Sequence, residues 1–343
     1  MGSRNSGGSR TRAVLATALL AGGLLLSACG ESSPEFGPAA EPAESPPAQV
    51  KPAGKVVNIG EGAEGIVFDP GSGMLALGLR EPYRLAFVDP DSMKIRERYL
   101  IPNPVRHLAV APQGSLVAVP AESANRLYEI APGRGIVNDV ATGEHPHDAA
   151  FADGKIFVAD EFGDTVTVVA DGEVEETLPG PVQPGGIAAV DDRYLAVIAV
   201  SERVLQVYGL DNYGRLGSIP AGVGPTHIEA LGNEVFVADT EGDQLRRFRI
   251  DDEPEEVGSI PAPGAPYGIA IDPRRKIVWV TLTASNRLAG YSIGDSSMKR
   301  IATFPTVSQP NSVTVNPETG EVFVASRTEG QLHRINTQVR MDR

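Results

Sequence analysis

Residues 225–230 read PTHIEA, and closely related hexapeptides lie forty-one residues away on both sides. Residues 184–189 read PGGIAA, and residues 266–271 read PYGIAI. A proline-containing loop that leads into small alternating apolar residues is typical of a short β-strand beginning after a turn. Recurrence at a constant distance indicates a structural repeat of about 41 residues.

The repeat extends over most of the chain and yields seven units. The first apolar residues after each loop, spaced 38 to 44 residues apart, are Ile66, Leu108, Ala149, Ile187, Ile228, Ile269 and Val313. In each unit a more hydrophobic strand follows, such as KIFVADE at residues 155–161, and then a third, alternating strand and a weaker fourth one. Four short strands per unit predict an all-β fold, a seven-bladed β-propeller.

The two ends of the repeat region predict how the ring closes. The seventh unit stops near Ile335, directly after its third strand, whereas GKVVNIG at residues 54–60 precedes the first unit. We expect this N-terminal strand to complete the last blade, because pairing the two chain ends removes an exposed sheet edge. The predicted propeller spans residues 54–336, and residues 337–343 form a tail.

The hydrophobic strands also resemble known propeller repeats. The segments IFVAD, VFVAD, VWVTL and VFVAS are similar to the YVTN repeat, and PYGIAIDP at residues 266–273 resembles the start of an NHL repeat. Both families are bacterial propellers, and the resemblance covers residues 56–335. It implies the fold, whereas the activities in such families range from binding and scaffolding to a few enzymes.

The N-terminus has the layout of a bacterial lipoprotein signal. Three arginines precede an apolar run at residues 13–26, which is shorter than the roughly 20 residues that a membrane span needs. The run ends in Leu26-Ser27-Ala28-Cys29, which resembles a lipobox. We therefore predict a signal peptide over residues 1–28 and acylation of Cys29, for example by palmitate. Because Cys29 is the only cysteine, the chain has no internal disulfide.

Residues 29–53 have the composition of a tether. They are rich in Pro, Glu, Ala and Ser and nearly free of large apolar side chains, so they cannot bury enough surface to fold. Prolines favour an extended chain, and roughly 25 residues at about 3 Å each would hold the domain away from the bilayer. We expect a disordered tether that packs against nothing and an extracytoplasmic domain anchored to the cell membrane.

The charge of the mature chain narrows the choice of partners. Without residues 1–28 it carries 27 basic and 44 acidic residues, a formal charge of −17. A negative field repels nucleic acid and anionic membrane surfaces but attracts cations and basic partners. We expect a monomer with no nucleic-acid partner, which binds a protein, an envelope polymer or a small ligand.

Function in a propeller is expected on one face of the ring. The loops before the innermost strands and the turns between the second and third strands meet there around the channel mouth, and we call this side the top face. The candidate binding residues in the loops are Glu64, Arg106, His107, His147, Asp148, Thr226, His227, Tyr267 and Asn311. The turns add Tyr83 and Phe162, aromatic residues suited to stacking on a flat ligand.

Four of these residues suggest a metal site. His107 and His227 hold equivalent places in blades two and five, and Asp148 holds that place in blade three beside His147. Three imidazoles and a carboxylate suit a divalent ion such as zinc. By resemblance to propeller lyases with histidines on this face, the site could serve a metal-assisted lyase or hydrolase, with Asp148 or Glu64 as ligand or base. The competing interpretation is a hydrated surface without an ion, since these ligands come from three blades.

The leading hypothesis is a non-enzymatic binding or scaffolding module without a cofactor. The chain has no second cysteine for nucleophilic catalysis, no GxSxG elbow and no glycine-rich phosphate loop. The metal-assisted lyase or hydrolase is the alternative.

Overall fold

A computed structural model describes residues 37–251 and 253–337, except for the side chain of Glu61. The predicted signal peptide, Cys29 and residues 338–343 of the predicted tail lie outside this part of the chain. No helix within the described residues has the length and apolar character required to cross a membrane.

The described strands form seven antiparallel four-stranded sheets, which are the blades. Blade 1 contains β2 (Glu61–Asp69), β3 (Met74–Glu81), β4 (Tyr83–Asp89) and β5 (Lys94–Leu100). Blade 2 contains β6 (Ala109–Val110), β7 (Val117–Ala121), β8 (Arg126–Ala131) and β9 (Gly135–Ala141). Blade 3 contains β10 (Pro146–Ala152), β11 (Lys155–Asp160), β12 (Thr165–Ala170) and β13 (Glu173–Pro179). Blade 4 contains β14 (Pro184–Val190), β15 (Tyr194–Ala199), β16 (Val204–Gly209) and β17 (Arg215–Pro220).

The remaining blades repeat this order of strands. Blade 5 contains β18 (Pro225–Leu231), β19 (Glu234–Asp239), β20 (Gln244–Ile250) and β21 (Pro254–Pro261). Blade 6 contains β22 (Pro266–Asp272), β23 (Ile277–Leu282), β24 (Arg287–Ile293) and β25 (Met298–Pro305). Blade 7 contains β26 (Pro310–Val315), β27 (Val322–Ser326), β28 (Gln331–Ile335) and β1 (Lys55–Asn58). The predicted all-β fold of seven blades is confirmed.

The N-terminal strand β1 is the outermost strand of blade 7. It pairs antiparallel with β28, with Lys55 opposite Arg334 and Asn58 opposite Gln331. The sheet therefore contains both the first and the last strand of the described chain. Since the edge of β28 is covered by β1, the ring closes through backbone hydrogen bonds.

The core is divided into seven hydrophobic clusters, each between two neighbouring blades. Strand β11 shows how the sequence builds two of them. Ile156 and Val158 face blade 2, and the alternate residues Phe157 and Ala159 face blade 4. Because side chains alternate across a strand, a strand buried on both faces reads as a continuous apolar run.

The innermost strands are rich in small residues because they approach one another closely around the channel. A Cβ atom at Gly268 would lie only 2.6 Å from the carbonyl oxygen of Asn311 in the next blade. A larger side chain has no room there. Glycine thus lets neighbouring blades approach at the top of the channel.

The segment before β1 differs from the prediction. Residues 37–53 have no regular secondary structure, yet they form hydrogen bonds with loops of the propeller. For these residues the prediction that the tether packs against nothing is wrong. Their composition prevents a core of their own, but it does not prevent docking on a surface that is already folded.

Candidate functional site

A repeated loop geometry places side chains on the top face. In blades 3 to 7 the innermost strand begins with a proline. The carbonyl oxygen of the residue directly before this proline accepts a hydrogen bond from a backbone N–H in the turn between the second and third strands. These residues are His145, Gln183, Gly224, Ala265 and Gln309. His145, Gln183, Ala265 and Gln309 have left-handed φ values between 48° and 60°. Such a conformation costs a non-glycine residue about 1–2 kcal/mol and often occurs at functional sites.

His145 contributes to a compact cluster at the junction of blades 2 and 3. Nδ1 of His147 lies 3.1 Å from Oε1 of Glu122 and 3.3 Å from Oε2 of Glu161. Nδ1 of His145 lies 3.2 Å from the same Oε2 of Glu161, and its Nε2 lies 3.9 Å from Oε2 of Glu122. We call Glu122, His145, His147 and Glu161 the His-Glu cluster.

Several atoms of the His-Glu cluster are buried without a hydrogen-bond partner. They are Oε1 of Glu122, Nδ1 of His145 and Nδ1 of His147. The pairs are close, but their angles are not those of hydrogen bonds. A cation bound to nitrogen and oxygen at about 2.0–2.2 Å would separate tetrahedral ligands by about 3.4 Å. The observed distances of 3.1–3.9 Å fit such a set of ligands.

Glu122, His145 and His147 are the one group of three or more metal-ligating side chains with converging ligand atoms in the described part of the chain. Imidazole nitrogen together with carboxylate oxygen suits zinc and related transition ions. The residues present therefore fit a divalent metal.

The imidazole of His147 and the carboxylates of Glu122 and Glu161 shift one another's pKa values. Burial by itself lowers the pKa of His147, but Glu122 and Glu161 outweigh it and raise this pKa to about 10. Burial raises the pKa of Glu161, but His147 outweighs it and lowers this pKa to about 2. The pKa of Glu122 is lowered because His147 and Arg106 outweigh burial. Both carboxylates are therefore ionised near neutral pH.

Neighbouring side chains orient the His-Glu cluster. Nε2 of Gln183, at the equivalent loop position of blade 4, donates to Oε1 of Glu161 at 2.9 Å. The Phe162 ring lies 4.3 Å from the His145 ring, centroid to centroid. Contacts of this kind hold ligating groups in place.

Two further imidazoles continue from the cluster across the channel mouth. The His107 ring is 4.6 Å from both the His147 and the His227 rings, and the Tyr267 ring is 4.2 Å from His227. Burial lowers the pKa of His227 to about 3 and holds the pKa of His107 well below its usual range, with His147 adding to both effects. The two rings are therefore neutral beside the charged His147.

Below the mouth, the channel encloses a cavity of about 310 Å³. Asp148 and Glu229 line it. Oδ1 of Asp148 accepts the Ala149 N–H at 2.8 Å, and Oδ2 accepts the Ile187 N–H at 3.2 Å. Asp148 thus uses Oδ1 within its own strand and Oδ2 to join the innermost strands of blades 3 and 4, and it is absent from the converging group.

Where blades 7 and 1 meet, Glu64 belongs to a separate, fully paired cluster. Its Oε2 accepts from Arg80 Nε at 3.0 Å and from Arg327 Nε at 3.2 Å, and its Oε1 accepts from Asn311 at 2.9 Å. Glu64 is only 4% exposed. Each of its oxygens is satisfied by protein donors.

The remaining predicted residues lie outside these two clusters or at their margins. Thr226 is buried, and its hydroxyl bonds to Thr240 within blade 5 at 2.7 Å. Arg106 Nε lies 3.4 Å from Oε1 of Glu122. Tyr83 and Phe162 are 38% and 55% exposed, so their rings are available to a ligand.

The structure brings the three predicted histidines together, but the ligand atoms that converge in it belong to a different group of residues. Of His107, His147, His227 and Asp148, only His147 belongs to the converging group. The sequence signal that was missed is the His-x-His spacing of His145 and His147, which projects two imidazoles from one loop. No sequence pattern marks Glu122 and Glu161, because each comes from a different turn.

Solved structures with the same fold have varied functions. Virginiamycin B lyase from Staphylococcus aureus is 18% identical with a TM-score of 0.68, over 82% of this chain and 97% of that chain. The Cps50 (Swd1) β-propeller domain of Myceliophteria thermophila is 12% identical with a TM-score of 0.70, over 84% and 99%. A chain of Kuenenia stuttgartiensis hydrazine synthase is 15% identical with a TM-score of 0.71, over 82% and 98%.

These similarities show the fold alone, because the identities are low. No protein-family model and no curated protein matches the chain. The resemblance to YVTN and NHL repeats therefore stays a prediction.

Proposed function

We propose that this propeller is a binding module that holds a divalent transition-metal ion, of the zinc type, in the His-Glu cluster. The observation that carries the proposal is the set of buried ligand atoms of Glu122, His145 and His147, which face one another without hydrogen-bond partners. Buried polar atoms without partners are unfavourable, and an ion is one partner that satisfies several of them at once. A bound ion gives the top face a fixed charge to which a polar ligand or a protein carboxylate can bind.

Two side chains, Asp148 and Glu64, were expected to act as a base. Both already accept hydrogen bonds through each of their oxygens, which favours binding over catalysis. Asp148 uses both oxygens on backbone N–H groups, and Glu64 is enclosed by Arg80, Arg327 and Asn311. The metal-assisted lyase or hydrolase has one observation in its favour. The channel cavity of about 310 Å³ borders His107 and His227 and is large enough for a small substrate.

The decisive experiment is metal analysis of the full chain purified in detergent without chelator. We expect about one equivalent of zinc in the wild type, because one cluster forms one site. Glu122→Gln and His145→Asn should lose the ion, since each removes a ligand atom. His107→Asn is the matched control and should retain it. Loss of zinc in His107→Asn, with retention in Glu122→Gln, would restore the ligand set predicted from the sequence; absence of zinc from the wild type, even after reconstitution, would refute the proposal.

We also propose that the domain is anchored outside the cytoplasmic membrane by acylation of Cys29. The lipobox-like Leu26-Ser27-Ala28-Cys29 and the acidic mature chain support this. With residue 37 on the propeller, only seven residues lie between Cys29 and Gly37, and the eight Cα–Cα steps between them span at most about 28 Å when extended. Cys29→Ala should move the protein to the soluble fraction with an unchanged melting temperature. A variant that still pellets with membranes after a salt wash would show that the anchor is elsewhere.

A further inference from the structure

We propose that residues 37–48, the N-terminal strap, form a lid over the His-Glu cluster and control access to it. This inference rests on the proposed metal-binding function, because it assigns regulation to the same site. The strap begins beside blade 4 and crosses the top face to blade 7. It contains four prolines and no regular secondary structure.

The first part of the strap lies on blades 4 and 5. The carbonyl oxygen of Gly37 accepts a hydrogen bond from the Ser201 hydroxyl at 3.2 Å. Ala39 packs against the hydrophobic cluster between these two blades. Ala40 lies so close to Gly224 that a Cβ atom there would be 2.9 Å from its own. The strap therefore runs directly over the loops that begin blade 5.

The second part of the strap is held by the loops of blades 6 and 7. The Ser45 hydroxyl donates to the carbonyl oxygen of Thr283 at 2.7 Å and accepts the Gln309 N–H at 2.8 Å. The Gln309 side chain makes two hydrogen bonds to the backbone of the strap. Its Oε1 accepts the Ser45 N–H and its Nε2 donates to the Ala43 carbonyl oxygen, each at 3.0 Å. Nδ2 of Asn286 donates to the carbonyl oxygen of Pro46 at 2.7 Å.

Between these attachments the strap closes the space above the cluster. Ala39, Ala40 and Glu41 form one wall of a cavity whose other walls include His147, Glu161, His227 and Tyr267. Its volume is about 20 Å³, which corresponds to one water molecule or one ion. A larger ligand that approaches His147 through this cavity must displace the strap.

The contacts of the strap are those of a segment that can detach. It joins no strand of a blade, and Ala39 is its one residue packed against a hydrophobic cluster among the described contacts. A released proline-rich segment remains extended and loses no internal hydrogen bonds. The strand β1 that follows keeps its pairing with β28, so the lid can open while the ring stays closed.

The test compares the rate at which a bulky chromophoric chelator removes zinc from full-length variants. Ser45→Ala deletes two hydrogen bonds of the strap and should raise the rate about tenfold. Replacement of residues 38–48 by a Gly-Ser segment of equal length removes all of the specific contacts and should raise it further. Glu44→Ala, a change at the neighbouring exposed position, is the control and should keep the wild-type rate. Melting curves should show that every variant is folded.

A second readout separates this proposal from the proposed function. Carbethoxylation of His227, whose imidazole is neutral, by diethyl pyrocarbonate, measured by mass spectrometry on metal-free protein, should accelerate in the same order as zinc removal. If no variant holds zinc but His227 becomes more reactive, the metal proposal fails and the lid stands. Zinc removal and histidine modification at wild-type rates in the Gly-Ser variant would refute the lid, whatever the metal content.

Discussion

Two buried carboxylate clusters lie on the top face, one where blades 7 and 1 meet and one where blades 2 and 3 meet, and they differ in how their polar atoms are satisfied. Around Glu64, the carboxylate oxygens accept hydrogen bonds from Arg80, Arg327 and Asn311. In the His-Glu cluster, Oε1 of Glu122 and the Nδ1 atoms of both histidines accept or donate none. A satisfied cluster stabilises the fold by itself, whereas unsatisfied ligand atoms point to a ligand.

The largest expected effect concerns the fold. Glu64→Gln removes the charge that pairs with two arginines and should lower the free energy of unfolding by about 3 kcal/mol, as in other broken buried pairs. Glu122→Gln should lower it by about 1 kcal/mol in metal-free protein, because no hydrogen bond to its Oε1 is lost. Urea unfolding of both variants measures the difference. Equal decreases in the free energy of unfolding would contradict the proposed difference between the two clusters.

The second expected effect is stabilisation by zinc. Saturating the wild type at about 100 times the dissociation constant should add about 2.7 kcal/mol, since the ion binds the folded state. Glu64→Gln should respond to zinc as the wild type does, whereas Glu122→Gln should not respond. Melting curves with and without zinc decide this, and magnesium serves as the control ion. A response to zinc in Glu122→Gln would place the ion elsewhere.

A smaller effect is expected from Gln183, which orients the carboxylate of Glu161 in the His-Glu cluster. Gln183 donates to Oε1 of Glu161 at 2.9 Å, so Gln183→Ala should weaken zinc binding about tenfold without removing the site. The control is Gln331→Ala, at the start of β28. Titration against a competing chelator gives both affinities. An unchanged affinity in Gln183→Ala would show that the orientation of Glu161 does not affect the site.

A further effect concerns Glu229, a half-buried carboxylate that lines the channel cavity. Burial raises the pKa of Glu229 to about 8, and the charge of Asp148 adds to this shift. The folded state therefore keeps a proton that the unfolded chain releases near pH 4.5, so this residue reduces stability progressively as the pH rises from about 4.5 to 8. Glu229→Gln removes that dependence, so the variant should become progressively more stable relative to wild type between pH 5 and pH 8. Melting temperatures of both proteins at these two pH values test it, and parallel pH profiles would contradict it.

The sequence predicted the blades far better than the sites. The continuous apolar run from Ile156 to Ala159 directly indicates a strand buried on both faces, because this pattern is a local property of the sequence. His107, His147 and His227 were expected to meet at the channel mouth, and their rings do lie within 4.6 Å of their neighbours. The choice of metal ligands was different, since the distances among Glu122, His145 and Glu161 depend on how two blades pack.

What the sequence by itself determined is the number of blades, the strand pattern and the position of the chain end that joins blade 7, because each follows from periodicity and from a strand left without a unit. The tertiary structure alone decided which polar groups are satisfied. Glu64 and Glu122 look alike in the sequence, but one faces two arginines and the other faces two histidines. The tertiary structure also decided where residues 37–48 lie. Composition excludes a core of their own, and only the folded loops of blades 4 to 7 supply the hydrogen bonds that hold them over the site.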